Sequence, residues 1–253
     1  EVRASTKAIL DAISHVLTNL VDASETKFPE ISSHADLIRL WRDERTLFSQ
    51  SCGLPYVESL HDCVEIVATL KWTGISDERG WYRTVIVARE ELRVASLSEV
   101  RGMQPVITNQ QSLSGWCSLG VALSEATMDP QFVKPYVESG GHVKSLQMLQ
   151  DKEADFASVD PGTFQLLQRH RPSLTNGLRI IGHGPHVPAT PMHVSKVRMA
   201  EFDALQAATL EVFSRADLAG ARAEIGIDGA VAISASDYSL IPGLVARANA
   251  VLP

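Results

Sequence analysis

Short β-branched strand patterns alternate with amphipathic helical patterns along this chain, and this alternation constrains the possible fold more than any other feature. The first helical pattern covers residues 4–21, where apolar residues recur every three or four positions. The clearest strand pattern is Tyr82–Ala88, which is β-branched and largely apolar. Further strand patterns lie at 46–50, 64–70, 156–159, 178–182 and 192–195. This alternation predicts an α/β protein with mostly parallel sheets flanked by helices.

Two connectors divide the pattern into lobes. One lies near residues 88–91, and the other, at 184–191, contains three prolines. We therefore expect a first lobe formed by residues 1–89 with 190–253, and a second lobe formed by residues 90–189. Two crossings between α/β lobes are typical of a hinged clamshell, in which the ligand lies beyond the carboxyl ends of the strands. No strand pattern precedes the first helix, so we expect the first lobe to lack its first strand; whether the chain is a fragment stays open.

Composition excludes several classes of function. The chain has 253 residues, a hydrophobic fraction of 45% and a formal net charge of −7. These values are typical of a globular protein and argue against binding to nucleic acid or to an anionic membrane. No apolar run is long enough to span a bilayer. The three cysteines, Cys52, Cys63 and Cys117, lack zinc-like spacing; we expect neither a metal nor a cofactor, and a Cys52–Cys63 disulfide stays open.

The segment from Val106 to Trp116 gives the strongest indication of a binding site. Two β-branched residues lead into a polar loop that ends in Ser112-Leu113-Ser114-Gly115, and a helical pattern follows. A strand, a hydroxyl-rich turn and a helix start favour an anion, because the first N–H groups of a helix are free and its dipole is positive there. The alternative is an ordinary N-cap, in which a serine satisfies those amides.

Four motifs, in order and spacing, resemble those of the phosphate/phosphonate-type (PhnD-like) substrate-binding proteins of ABC transporters, which have the type II periplasmic binding protein fold. The motifs are the turn Phe48–Tyr56, the strand Tyr82–Arg89 followed by Ser96–Gly102, the loop Asn109–Gly115, and the stretch from Gly140-Gly141-His142 to Ala154–Asp160. This chain departs from the family pattern where Gly141 stands for a serine and Met103 for a lysine. The resemblance therefore does not fix phosphonate as the ligand; phosphate, a sulfonate and a pyrimidine-like vitamin precursor stay open.

The resemblance implies a two-lobed Venus-flytrap receptor and not an enzyme. Such a solute-binding protein of an ABC importer closes on a small anionic ligand, phosphonate- or phosphate-like, in the cleft between its lobes and passes it to the permease subunits. The resemblance also implies a monomer in the periplasm, without nucleic acid, cofactor or membrane insertion. No signal-peptide pattern is visible from Glu1, so we expect either that a leader was removed or that none existed, and a cytoplasmic origin stays open.

The motifs suggest ligand-binding residues in both lobes. In the serine loop, hydroxyl groups of Ser112 and Ser114 would donate to an anion, together with the amides of Gly115 and Trp116. Asn109 beside them would bind either the ligand or its own loop. Trp116 would either stack on a ligand or pack between the lobes, and packing is the more common role of tryptophan.

The other candidates also have two interpretations each. His142 would donate to an oxyanion or serve as an ordinary residue at a helix start. Asp160 would balance a ligand amine or cap the helix that begins at Thr163. Arg83 would bind an oxyanion in bidentate fashion or pair with a surface carboxylate. The remaining candidates are Gln50, Ser51 and Cys52 after one strand and Tyr82 at the start of another.

Two other classes of function stay open from the sequence. An enzyme on the same fold would act on a small phosphorylated or heterocyclic substrate, with Cys52, His142 and Asp160 as a hydrolase-like triad. That triad requires Cys52 and His142 to meet within hydrogen-bond reach from opposite lobes. A ligand-sensing domain of a regulator would need a DNA-binding segment, and we find no helix-turn-helix pattern in the sequence.

Overall fold

The computed structural model describes residues 2–21, 29–31 and 33–252. The chain divides into two compact units. The first unit consists of Glu1–Trp81 and Pro188–Ser239, and the second consists of Tyr82–Val187 and Leu240–Pro253. The chain therefore passes between the units near residues 81, 187 and 239.

Helices and strands alternate through much of both units. In chain order the helices are α1 (Arg3–Leu20), α2 (His34–Arg42), α3 (Gly53–Pro55), α4 (Ser118–Ala126), α5 (His142–Gln150), α6 (Pro161–His170), α7 (Phe202–Ser214), α8 (Ala219–Ile225) and α9 (Ile241–Asn249). The strands are β1 (Ser49–Gln50), β2 (Val64–Trp72), β3 (Trp81–Arg89), β4 (Pro105–Ile107), β5 (Val137–Glu138), β6 (Phe156–Val159), β7 (Leu178–Pro188), β8 (Pro191–Ser195) and β9 (Ile227–Val231). Two π-helical turns adjoin helices: Tyr56–Leu60 continues α3, and Leu113–Cys117 leads into α4.

The first unit is built on a four-stranded sheet in the order β1-β8-β2-β9. Strand β8 pairs with β1 and β2, and β2 pairs with β9, in each case antiparallel. Helix α1 covers this sheet with Ile9, Ile13 and Leu17, which lie four residues apart and therefore share one face. They belong to one core with buried side chains of β2, β8 and α7.

The strand directions in the first unit differ from the mostly parallel sheet that the sequence predicted. That prediction assumed a helix between successive strands, which a parallel connection requires. Residues 73–80 after β2 and residues 189–190 after β7 contain no helix. Strand β2 is the last before the chain leaves this unit and β8 is the first after it returns, so the two run in opposite directions. The α/β class is correct, and the parallel direction is wrong for this sheet.

The second unit contains a five-stranded sheet in the order β5-β4-β6-β3-β7. Strand β4 pairs in parallel with both β5 and β6, whereas β3 pairs antiparallel with β6. Apolar side chains of β3, β4 and β6 form one core with α5 and α6. The predicted parallel pairing is therefore present at β4 and absent between β3 and β6.

Strand β7 is longer than predicted and occupies most of the connector that the sequence placed at 184–191. It extends to Pro188, and only Ala189 and Thr190 separate it from β8. A proline has no backbone N–H group to donate to a neighbouring strand. Because β7 is the last strand in the sheet order, one of its edges has no neighbouring strand that would require such a donor. Pro185 and Pro188 therefore belong to an edge strand and not to a loop, whereas Pro191 is the first residue of β8.

The C-terminal helix α9 contacts α4 in the second unit, whereas the sequence-based division placed residues 190–253 together in the first lobe. The contact is close because Gly120 has no side chain: a Cβ at this position would lie 2.6 Å from the Cβ of Ala248. The indole Nε1 of Trp116 also donates to the Leu252 carbonyl at 3.1 Å. A helical pattern at a chain end does not reveal which unit it covers, because both units offer an apolar face.

Two sequence expectations concern cysteines and membrane segments. Within the described part of the chain, none of the three cysteines forms a disulfide, so the Cys52–Cys63 pairing is not present. Among the described helices, none is both long and apolar enough to cross a membrane.

His193 makes the first unit sensitive to acid. Its side chain is 1% exposed on β8, and its Nε2 atom has no hydrogen-bond partner among the described residues. Burial lowers the pKa of His193 from 6.5 to about 4. Between these values the unfolded chain binds a proton that the folded chain does not. As far as it depends on His193, the free energy of unfolding is therefore highest above pH 6.5. It falls as the pH drops toward 4, by at most about 3 kcal/mol.

We expect His193→Gln to flatten this dependence, because glutamine does not titrate. Urea unfolding at about pH 7 and about pH 5 measures the difference in the free energy of unfolding between the two conditions. The exposed His15 offers a matched control, and His15→Gln should keep the wild-type difference. An equal loss of stability on acidification in His193→Gln and in the wild type would contradict the prediction.

Candidate functional site

Three helical segments begin at the same edge of the second sheet. Strands β5 and β6 both run parallel to β4, so the carboxyl ends of the three strands lie at one edge. The chain leaves these strands and enters helical segments at Leu113, His142 and Pro161. Because each helix start offers unsatisfied N–H groups and the positive end of a dipole, this edge suits a negatively charged ligand.

The segment Ser112–Cys117, which we call the serine turn, is held by its own backbone and by a cap. Ser112 Oγ accepts a hydrogen bond from the Gly115 amide at 2.9 Å, so Ser112 is the N-cap that the sequence allowed. The Cys117 amide donates to the Ser112 carbonyl, five residues back, at 3.0 Å. Gly115 is needed here, because a Cβ would lie 2.3 Å from the Thr108 Oγ1 atom.

Ser114 and His142, which are 28 residues apart in sequence, meet at this edge. The Ser114 Oγ atom lies 2.9 Å from His142 Nε2, and either atom is the donor, depending on the tautomer. The other ring nitrogen, Nδ1, is buried and has no partner among the described residues. The pair therefore retains hydrogen-bonding capacity: when Nε2 carries the proton and donates to Ser114, the serine hydroxyl is left to donate elsewhere.

The loop before α5 is fixed to the end of β4. The Ser139 hydroxyl donates to the Ile107 carbonyl at 3.0 Å, and the Gly140 amide donates to the Thr108 carbonyl at 2.7 Å. Gly140 has a φ of +83°, in the left-handed region that glycine favours. A cavity of about 660 Å³ opens here, lined by Ser139, Gly140, Gly141, His142, Val143, Lys144, Gln147 and Thr163.

Burial and one carboxylate act on His142 in opposite directions. Burial lowers the pKa of His142 below its usual range, and the negative charge of Asp160 raises it. Burial is the larger effect, so the ring is neutral near pH 7. Asp160 Oδ1 accepts from the Thr163 amide at 2.8 Å, so Asp160 caps α6 as the sequence allowed. Its negative charge remains next to the His142 ring.

Other candidates of the second unit have structural partners. Asn109 Oδ1 accepts from the Gln111 amide at 2.9 Å, which is a bond within its own loop. Trp116 is buried against the C-terminal segment through Leu252, as expected for a packing tryptophan. Tyr82 is buried, and the exposed Arg83 donates to the Gly184 carbonyl at 3.0 Å rather than to a surface carboxylate.

The remaining candidates lie in the first unit, around β1 and the start of α3. The Gln50 side chain donates to Thr190 Oγ1 at 2.9 Å. Ser51 is buried, and its Oγ atom has no hydrogen-bond partner in the residues described. Cys52 is half-buried just before α3. Across residues 2–21, 29–31 and 33–252, no group of three His, Cys, Asp or Glu residues could hold a metal ion.

Sequence reasoning missed two groups of residues at this edge. Ser139 and Thr163 line the cavity, and Ser158 and Thr84 lie buried behind the serine turn. Ser158 donates to the Ser114 carbonyl at 2.7 Å. A hydroxyl residue within an apolar strand pattern is the signal that could have identified Ser158, because a buried hydroxyl needs a partner.

Comparison with solved structures defines the class of protein. PhnD1 from Prochlorococcus marinus (MIT 9301), in complex with methylphosphonate, is 13% identical and has a TM-score of 0.80, covering 98% of this chain and 95% of that one. A binding protein component of an ABC phosphonate transporter from Pseudomonas aeruginosa is 16% identical with a TM-score of 0.74, covering 98% and 84%. XAC2383 from Xanthomonas citri, bound to ATP, is 14% identical with a TM-score of 0.72, covering 98% and 94%. These similarities show the type II periplasmic binding protein fold.

The sequence itself defines the family. Residues 2–238 match the family described as "ABC transporter, phosphonate, periplasmic substrate-binding protein", and this chain belongs to that family. Its members serve transporters as substrate-binding proteins and are not enzymes, so the resemblance stated from the motifs is confirmed and the enzyme alternative gains no support. Among curated proteins, none matches the sequence significantly.

We expect Asp160→Asn to lower the pKa of His142 further, because it removes the negative charge that opposes burial while asparagine can still cap α6. An NMR titration of the His142 ring, assigned with His142→Gln, measures this change. The control is Asp151→Asn, which removes the exposed carboxylate of the C-cap residue at the other end of α5 and should leave the titration unchanged. A pKa of His142 that rises or stays constant in Asp160→Asn would contradict the assignment.

Proposed function

We propose that this chain is the receptor of an ABC importer for a small tetrahedral oxyanion, phosphonate- or phosphate-like, and that the serine turn and the N-terminus of α5 hold this anion. The observation that carries the proposal is the bond between Ser114 and His142 at the edge where three helical segments begin. The pair keeps one proton for an oxyanion, on Ser114 Oγ or on His142 Nδ1 according to the tautomer, and His142 and the first residues of α5 line the cavity.

The donors at this edge remain available although several of these side chains also stabilise the fold. Ser112 and Asp160 cap helices by accepting hydrogen bonds, and accepting leaves the Ser112 hydroxyl proton free to donate. The first N–H groups of α5 have no acceptor within their own helix. Lys144, exposed at the cavity, adds a positive charge. We therefore assign the oxyanion to the Ser112 hydroxyl, to the one free proton of the Ser114–His142 pair and to the first backbone amides of α5, around Val143. The amides of Gly115, Trp116 and Cys117 already donate to Ser112.

The ligands of the similar structures favour a tetrahedral oxyanion. The PhnD1 structure is in complex with methylphosphonate and the XAC2383 structure is bound to ATP, and both ligands carry phosphorus bonded to several charged oxygens. A hydroxyl-rich helix start suits this shared group, whatever substituent the phosphorus bears. Asp160 provides a negative charge beside it, which would suit a ligand with an amine.

The remaining residues that the sequence predicted as ligand-binding are proposed to have that role. Gln50, Ser51 and Cys52 in the first unit, and Tyr82, Arg83, Asn109 and Trp116 in the second, are proposed to border the ligand. Among them, Ser51 has the clearest capacity for a new hydrogen bond, because its buried Oγ atom has no partner within the described part of the chain.

The family consists of periplasmic substrate-binding proteins of ABC transporters, which supports the proposed permease partner. We propose on that ground that this chain acts in the periplasm, and that it acts as a monomer. Sedimentation with and without ligand tests the oligomeric state, and a dimer in both conditions would contradict the monomer.

We expect Ser114→Ala to weaken binding of the ligand by about ten- to a hundredfold, because a hydrogen bond to a charged group contributes about 1.5–3 kcal/mol. A thermal-shift screen with phosphate, phosphite, methylphosphonate, an aminoalkylphosphonate, an alkylsulfonate and thiamine precursors first identifies the ligand. Isothermal titration calorimetry then measures its affinity for the wild type and the variant.

The matched control is Ser124→Ala, because the Ser124 hydroxyl donates to the Val121 carbonyl within α4 and lies outside the serine turn. Its affinity should equal that of the wild type. Equal affinity in Ser114→Ala would show that the site is misplaced. A protein that melts cooperatively and shows no shift with any compound would refute the proposed class of ligand.

A further inference from the structure

Ser158 is a polar residue in an apolar strand. It lies on β6 between Ala157 and Val159, and its side chain is 1% exposed. Its Oγ atom lies 2.7 Å from the Ser114 carbonyl oxygen and 3.0 Å from Thr84 Oγ1. Ser158 has a single proton for these two acceptors, and the shorter contact is the one to the Ser114 carbonyl. Packing alone would be satisfied by alanine at this position.

The carbonyl that Ser158 holds belongs to the residue whose hydroxyl meets His142. The serine turn is wider than an α-helical turn, since the Cys117 amide bonds the Ser112 carbonyl five residues back. Wide turns of this kind occur as single turns, frequently at functional sites. A bond from the neighbouring strand fixes the peptide plane at Ser114 from outside the turn. It thereby fixes the direction of the Cα–Cβ bond, which carries Oγ toward His142 Nε2.

We propose that Ser158 is a positioning residue of the binding site: its hydroxyl holds the Ser114 carbonyl and so directs Ser114 Oγ toward His142 and the ligand. The effect on affinity rests on the proposed function. The effect on the bond between Ser114 and His142 does not, because that bond exists without ligand. Ser158 itself is buried behind the turn and acts only through Ser114.

Two measurements on Ser158→Ala test this role. The first is the NMR chemical shifts of the His142 ring nitrogens in the ligand-free protein, which report the tautomer and the bond to Ser114. The second is the affinity for methylphosphonate by calorimetry. We expect altered His142 ring signals and an affinity about tenfold lower, the size of one lost hydrogen bond. A loss of packing elsewhere would lower the melting temperature without moving either readout.

Two further variants separate positioning from general destabilisation. Thr84→Val removes the other hydroxyl of the pair while Ser158 still donates to Ser114, so both readouts should match the wild type. In Ser114→Ala, adding Ser158→Ala should cause no further loss of affinity, because Ser158 acts through the Ser114 hydroxyl. Should Ser158→Ala fail to fold, Ser158→Cys fills the position with a weaker donor and should shift the His142 signals in the same direction.

The outcomes decide the two proposals separately. Unchanged His142 signals in folded Ser158→Ala overturn the positioning role, and so does an unchanged affinity when the wild type binds methylphosphonate. A further loss of affinity in the double variant would also overturn it, because Ser158 would then act independently of Ser114. If the wild type binds no tetrahedral oxyanion, the proposed function fails, while the His142 signals of the ligand-free variants still decide the role of Ser158.

Discussion

The parallel pairing of β4 with β5 and β6 is the constraint on which the candidate site depends. Parallel strands place their carboxyl ends at one edge, so the segments that follow them must start there too. Residues far apart in sequence, such as Ser114, His142 and Asp160, become neighbours for this reason alone. An antiparallel β5 or β6 would have moved its helix start to the opposite edge and separated the donors that the proposed oxyanion requires.

Capping and anion binding, which the sequence offered as alternatives, are compatible in this structure. A cap uses the acceptor capacity of a side chain, whereas an anion uses donors. Ser112 accepts from the Gly115 amide and retains its hydroxyl proton, and Asn109 accepts from the Gln111 amide and retains its NH2 group. Asp160 has no donor when ionised, so its cap leaves only its charge, which acts on His142. The structural hydrogen bonds of a residue therefore limit which donors and acceptors it can still offer to a ligand.

The sequence predicted the α/β class, a possible N-cap at Ser112 or Ser114 and the ends of several strands, because these depend on local periodicity and on local capping chemistry. It did not predict that β8 runs antiparallel to β2, that β7 continues through its prolines, or that α9 covers α4. Each of these depends on where the chain goes after an element ends. Gly120 is an example: it lies close to Ala248, which is far away in sequence, and only the folded structure shows that a side chain at this position would not fit. The bond from Ser158 to Ser114 was missed for the same reason.

The acidic net charge of −7 does not conflict with an anionic ligand. Repulsion from surface carboxylates is screened over about 8 Å at physiological ionic strength, whereas hydrogen-bond donors act at contact distance. Burial keeps His142 neutral, so in the absence of ligand the site holds no buried imidazolium that would need a counter-charge. Dipolar donors whose directions are fixed by β4, Ser139 and Ser158 can then select a ligand by the geometry of its oxygens. The proposed site, with neutral donors in fixed positions and the exposed Lys144 at the cavity, is therefore compatible with the acidic net charge of the protein.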